Sequence, residues 1–99
     1  MSRYKRRTDI NQLNEIKKLI NKGFVVKITS QIGWGFPDFI VKKIGKHKAL
    51  MVELKSKGNV FNLTEAEIEM QSLLRNCGCQ ITTAESAEEI EKTYSSLFG

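Results

Sequence analysis

Residues 38–55 constrain the fold more than any other part of the chain. Asp38 to Ile44 and Ala49 to Lys55 are two runs rich in β-branched and aliphatic residues. Gly45-Lys46, a pair suited to a tight hairpin, joins them. The apolar residues fall on both faces of the hairpin: Ile40 and Met51 on one, Phe39, Val41, Leu50, Val52 and Leu54 on the other. A sheet that is apolar on both faces needs cover on both, and helices are the available cover.

The flanking segments supply it. Asp9 is a candidate N-cap for a helix to Lys22, in which Ile10, Leu13, Ile16, Leu19 and Ile20 recur at helical spacing and Gly23 is the stop. Phe24 to Thr29 reads as a strand, and Gly33-Trp34-Gly35-Phe36-Pro37 must turn. Thr64 and Glu67 form a capping box, followed by an apolar stripe of Ala66, Met70, Leu73, Leu74 and Cys77 with Gly78 as the stop. Gln80 to Thr83 is a short strand. Ser86 and Glu89 open a last helix striped by Ala87, Ile90, Tyr94, Leu97 and Phe98. The order αβββαβα predicts an α/β fold, a three-layer αβββαβ(α) sandwich around a mixed four-stranded sheet. With 99 residues it is one domain, over 9–99, behind a basic arm at 1–8.

Composition excludes several classes. Apolar residues are 40% and charged residues 27%, ordinary for a soluble globular chain, and no run approaches a membrane span. The basic start is not followed by the apolar stretch of a secretory signal, so a cytoplasmic protein with no membrane partner is expected. Cys77 and Cys79 cannot build a disulfide framework, and zinc would find only His47 to help them; they read as small buried or half-buried thiols in a reducing compartment. Charge is uneven. Residues 1–57 hold 14 Lys and Arg against 4 Asp and Glu, whereas residues 58–99 hold 2 against 7. So basic a half suits either a polyanion partner, nucleic acid being the commonest, or a solubilising surface.

With Gly45 and Lys46 as the central pair, or with a four-residue loop from Ile44 to His47, Asp38 lies opposite Glu53 and shares its face, with Cβ atoms ~5 Å apart. Lys55, two residues on, shares that face too. Two adjacent carboxylates repel unless one holds a proton or a cation sits between them. Hard oxygen ligands on a rigid sheet suit Mg²⁺, and a nearby lysine can hold an attacking water and offset charge on a phosphate. The bland alternative is a surface salt-bridge cluster.

Gly35-Phe36-Pro37-Asp38 followed by Glu53-Leu54-Lys55 resembles the PD-(D/E)xK nuclease motif, and in detail its virus-type replication–repair branch, the VRR-NUC domains. The likeness covers roughly residues 9 to 89. It rests on the glycine before Pro-Asp, the Asp-to-Glu spacing, the turn after Glu-x-Lys, a glutamine on the next helix (Gln71) and the element order. The resemblance implies that Asp38, Glu53 and the backbone carbonyl of Leu54 ligate a catalytic Mg²⁺, for which Mn²⁺ substitutes. Lys55 would position the nucleophilic water. Glu15 would hold a water on the metal or a second ion, and Gln71 would orient the site. No small-molecule cofactor is implied.

Stand-alone proteins of this kind are similar to Holliday junction resolvases. The expected activity is therefore Mg²⁺-dependent, structure-selective endonuclease cleavage of branched double-stranded DNA by a homodimer, in viral or bacterial DNA processing. Arg6, Arg7, Lys42, Lys46 and Lys57 are candidate phosphate contacts. Trp34 either stacks on a base or anchors its loop on the sheet. His47 reads as a surface residue, and Ile68 as an exposed isoleucine that is either trivial or a dimer contact. The alternatives are a nickase or flap nuclease of low selectivity, a catalytically silent nucleic-acid-binding module, and an interaction subunit with a basic surface.

Overall fold

The sheet grows from the hairpin. Strands β2 (Phe39–Lys43) and β3 (Ala49–Leu54) pair antiparallel, with Phe39 on Val52, Ile40 on Met51, Val41 on Leu50 and Lys42 on Ala49. This is the predicted register. The connection is longer than a two-residue turn: residues 44–48 join the strands, with the Lys46 N–H bonded to the Lys43 carbonyl at 2.9 Å. Strand β1 (Phe24–Ile28) adds antiparallel to β2, and β4 (Ile81–Ala84) adds parallel to β3, in the order β1-β2-β3-β4. The computed structural model describes residues 10–99, so the N-cap Asp9 and the candidate phosphate contacts Arg6 and Arg7 lie outside the described residues.

Helices flank the sheet on both faces, although the second face of the hairpin is covered only in part, with Ile40 and Met51 half-buried. Helix α1 (Ile10–Asn21) packs on β1 and against α3 (Ala87–Phe98), which also packs on β4. Between them Leu19, Phe39, Val41, Leu50, Val52 and Ile90 are fully buried. Tyr94 sets its ring edge against Phe24 at 5.3 Å and Phe98 at 4.8 Å, and its hydroxyl donates to the Lys48 carbonyl. Helix α2 (Glu65–Asn76) lies on the other face against β4, where Gln71 reaches Thr83. The fold is α/β, a mixed four-stranded sheet flanked by helices, compatible with the three-layer αβββαβ(α) core. No helix among the described residues is long and apolar enough to cross a membrane.

Helix α2 departs most from expectation. Its capping box forms as read, and Gly78 ends it with φ +88°, its N–H bonded to the Arg75 carbonyl and that of Cys79 to the Leu74 carbonyl. The face it buries overlaps the apolar stripe only in part, at the half-buried Met70 and Leu74. Ala66, Leu73 and Cys77 are exposed, whereas Glu67 and Gln71 are buried. Hydrogen bonds to Lys55 and Thr83 account for the rotation: the sheet edge below the helix is polar and takes polar partners. Ile10 and Ile20 on α1 and Leu97 on α3 are likewise exposed, at the margins of stripes whose centres are buried. Of the two thiols, Cys79 is half-buried and Cys77 is exposed.

Candidate active site

Asp38 immediately precedes β2, and its backbone continues the ladder: its N–H bonds to the Val52 carbonyl and its carbonyl accepts from Thr29, both at 2.8 Å. Its side chain therefore rises beside Glu53 on the α2 face of the sheet, and Asp38 Oδ2 accepts the Leu54 N–H at 2.8 Å. Asp38 and Glu53 are 6% and 3% exposed. Burial first, then the charges of Asp38 and Glu67 and a hydrogen bond with Asp38, push the Glu53 carboxyl up to about 9 against the opposing charge of Lys55. Its surroundings thus favour the protonated form of Glu53, which has Asp38 and Glu67 as carboxyl neighbours.

Lys55 leaves the end of β3 on the same face. Its Nζ lies 3.9 Å from Glu53 Oε2, too far for a hydrogen bond, and 2.8 Å from Glu67 Oε1. With Glu53 protonated, the counter-ion of Lys55 is Glu67. Burial works to raise the Glu67 carboxyl, but the hydrogen bonds from Lys55 and the Thr64 backbone and the Lys55 charge outweigh it and hold the carboxyl below its ordinary value. The sequence reading gave Glu67 only a capping role. The same N3 position that caps α2 also turns this carboxylate toward the sheet edge, and a buried polar stripe of Glu67 and Gln71 at i, i+4 was the available signal.

The loop before Asp38 is wound tightly. Gly33, Trp34 and Gly35 all have positive φ, at 76°, 58° and 79°. Gly35 lies so close to the first turn of α2 that a Cβ there would stand 2.3 Å from the Ala66 carbonyl oxygen. That approach sets Glu67 beneath the carboxylate pair. Trp34 is 76% exposed, over a shallow groove formed with Ala66, Glu69, Met70 and Leu73, so it does not anchor the loop on the sheet.

The remaining candidates are distributed around this centre. Gln71 is buried and donates to Thr83 Oγ1 at 3.1 Å; Thr83 is the strand partner of Glu53, so Gln71 sits one side chain away from the pair. Glu15 lies on the α1 side, where its Oε1 accepts the Ala87 N–H at 2.8 Å and caps α3, and its Oε2 meets Lys18 at 3.2 Å. It shares a cleft of about 290 Å³ with Leu54, Lys55 and Lys57, which Asp38 and Glu53 do not line. The structure places Asp38, Glu53 and Lys55 on one face and sets Glu15 in the cleft that Leu54 and Lys55 also line. The Ala87 bond makes a stability prediction: Glu15→Ala loses about 1 kcal/mol in urea unfolding, while Glu15→Gln, which keeps an acceptor, loses little. Lys46 and Lys57 are exposed, and Lys42 Nζ bonds to the Lys46 carbonyl. Lys27, which the sequence reading passed over, pairs with Ile40 and so shares the face of Asp38 and Lys42.

The donor set fits a hard cation. Two buried adjacent carboxyls, each raising the cost of ionising the other, present oxygen ligands whose repulsion a divalent ion would relieve. Among the described residues no three His, Cys, Asp or Glu side chains cluster as a metal centre, so the pair would need backbone carbonyl and water to complete coordination, as Mg²⁺ accepts. No protein-family model matches the chain, and neither characterised proteins nor solved structures give a match.

Proposed function

We propose that this protein is a Mg²⁺-dependent DNA endonuclease of the PD-(D/E)xK kind, acting on branched double-stranded DNA as a Holliday junction resolvase does. One observation carries the reading: two buried carboxyls, Asp38 and Glu53, stand side by side on a sheet face that also presents the Lys55 ammonium 3.9 Å from Glu53. A structural ion pair of Lys55 with Glu67 gains nothing from two further carboxyls buried beside it. A site for a cation and a phosphate does.

Asp38, Glu53 and the Leu54 carbonyl are the residues that would hold the ion. When bound, it supplies a hydroxide-like nucleophile at neutral pH and charge to offset the phosphorane. The chain's own contribution is positional and electrostatic. Asp38 is fixed by the Leu54 N–H, and Glu53 by the strand beneath it. Lys55 has three N–H donors and spends one on Glu67, so others can orient a water in line with the phosphorus or contact a non-bridging oxygen. Water attacks phosphorus and gives up a proton to solvent, the P–O3′ or P–O5′ bond breaks, and the leaving alkoxide takes up a proton from solvent. Glu15, on the rim of the cleft beside Lys55, enters this scheme only through water. Lys27, Lys42, Lys46 and Lys57 would meet phosphates and Trp34 a base. A homodimer supplies the two sites that symmetric cleavage of a junction requires, and a cytoplasmic setting goes with that substrate.

Cleavage of a labelled four-way junction beside linear duplex, in Mg²⁺ or EDTA, tests the proposal. Paired symmetric cuts in the junction alone, dependent on Mg²⁺ and reduced at least ~10³-fold in Asp38→Ala, are expected. Equal cutting of both substrates removes the structural selectivity. Salt-sensitive junction binding with no cleavage in Mg²⁺ or Mn²⁺ favours the binding module instead.

A further inference from the structure

Glu67 is a buried carboxylate that the scheme above leaves without work. Its Oε1 accepts two hydrogen bonds at once, from the Thr64 backbone N–H at 2.9 Å and from Lys55 Nζ at 2.8 Å. The first closes the capping box that starts α2, which the Thr64 hydroxyl completes by accepting the Glu67 N–H at 3.1 Å. The second holds the ammonium on the face of Asp38 and Glu53. One oxygen therefore ties the start of a helix to the end of a strand. The close packing of Gly35 on the backbone of Ala66 and Glu67 pins the same turn from the side of the Pro-Asp loop. Capping alone does not explain the arrangement. Ser86 and Glu89 begin α3 with the same pair of residue types, and there the glutamate takes the Glu85 N–H and stays exposed.

We propose that Glu67 is the positioning residue of the site: its carboxylate, held rigid by the cap of α2, fixes where the Lys55 ammonium stands, and this rests on the nuclease reading of Lys55. The helix start then serves as a mount for the catalytic lysine. A long flexible side chain that would otherwise sample many rotamers is held in one, with its remaining donors aimed at the substrate.

Three variants test it. Glu67→Ala removes both bonds. Glu67→Gln keeps an acceptor for both. Thr64→Ala removes only the hydroxyl that accepts the Glu67 N–H and keeps the backbone N–H that holds the Glu67 carboxylate, so Lys55 stays held. At saturating junction DNA and Mg²⁺, Glu67→Ala is expected to cleave about 10²-fold more slowly with DNA affinity nearly unchanged. Glu67→Gln is expected to recover most of the rate. Thr64→Ala is expected to lower the melting temperature but to cleave nearly as fast as wild type. A second readout needs no activity: the ¹⁵N-detected ammonium signal of Lys55, assigned by its loss in Lys55→Arg. It should show slow exchange in wild type, Glu67→Gln and Thr64→Ala, and broaden away in Glu67→Ala. Should Glu67→Ala fail to fold, Glu67→Asp takes its place, since the shorter acid cannot reach both donors. Equal slowing in Glu67→Ala and Thr64→Ala, or an unchanged Lys55 signal without Glu67, overturns the proposal. A wild-type protein that cuts nothing overturns the nuclease reading, while the ammonium signal still decides whether Glu67 holds Lys55.

Discussion

Gly35→Ala is expected to be among the most damaging single substitutions in the chain. The added Cβ would stand 2.3 Å from the Ala66 carbonyl oxygen, 2.4 Å from its carbon and 2.8 Å from the Glu67 nitrogen, all backbone atoms of a capped helix. It would also have to adopt a φ of +79°, which costs an L-residue about 1–2 kcal/mol by itself. The clash adds an overpacking cost of about 1–3 kcal/mol or more. Together these reach a large share of the ~5–15 kcal/mol that keeps a small domain folded. Gly45→Ala is the matched control: φ is +86° there too, but nothing lies within 4 Å, so only the backbone term remains. Urea unfolding of the two variants separates these terms. The expected result is a loss of about 3–5 kcal/mol for Gly35→Ala and about 1–2 kcal/mol for Gly45→Ala. If Gly35→Ala folds by moving its loop away from α2, Asp38 moves with it and cleavage is lost. Equal and small losses in both variants would show that the loop does not depend on this contact.

Glu53→Gln is expected to stabilise the metal-free protein while abolishing its activity. The carboxyl of Glu53 titrates at about 9 in the folded chain and near 4.5 in the unfolded one. Between those two pH values the folded state holds a proton that the unfolded state has released. Stability therefore falls as pH rises through that window, by up to about 1.4 kcal/mol per pH unit from this one group. Glutamine has the same shape, donates an N–H toward Asp38 and cannot ionise, so the slope disappears. In EDTA at pH 8 the variant should be more stable than wild type by a few kcal/mol, on the order of the linkage term. Added Mg²⁺ should raise the melting temperature of wild type and not of the variant. Cleavage should fall at least ~10³-fold in the variant. A variant less stable than wild type at pH 8 in EDTA would mean that Glu53 is a charged structural partner of Lys55 and not a carboxyl that its surroundings keep protonated.

The parts of the site that could be read from sequence are those set by local rules. The Asp38–Glu53–Lys55 face follows from strand alternation and one glycine-marked turn, and it held although the turn itself runs over residues 44–48, because the register depends on the pairing and not on the loop. What stayed hidden depends on tertiary partners. Helix α2 turns its most buried face to Glu67 and Gln71, with Met70 and Leu74 of the apolar stripe half-buried beside them and Ala66, Leu73 and Cys77 exposed, a rotation that hydrophobicity alone does not select. Only the polar sheet edge, with Lys55 and Thr83, accounts for it. Glu15 posed the same problem. It lies at the edge of the apolar face of α1, and its partner Ala87 is 72 residues away, so no spacing rule connects them. Trp34 is the opposite case: its two flanking glycines signalled a tight turn, but only the structure shows the side chain left exposed on it.

The claim from which the rest follows is that Asp38 and Glu53 hold either one proton or one divalent cation. Calorimetric titration of Mn²⁺ or Mg²⁺ into the protein near pH 7, in two buffers of different ionisation enthalpy, measures it directly. One ion should bind per chain with release of about one proton, and neither binding nor release should survive in Glu53→Gln. Binding without proton release, or binding that Glu53→Gln leaves intact, would contradict the account and place any metal elsewhere.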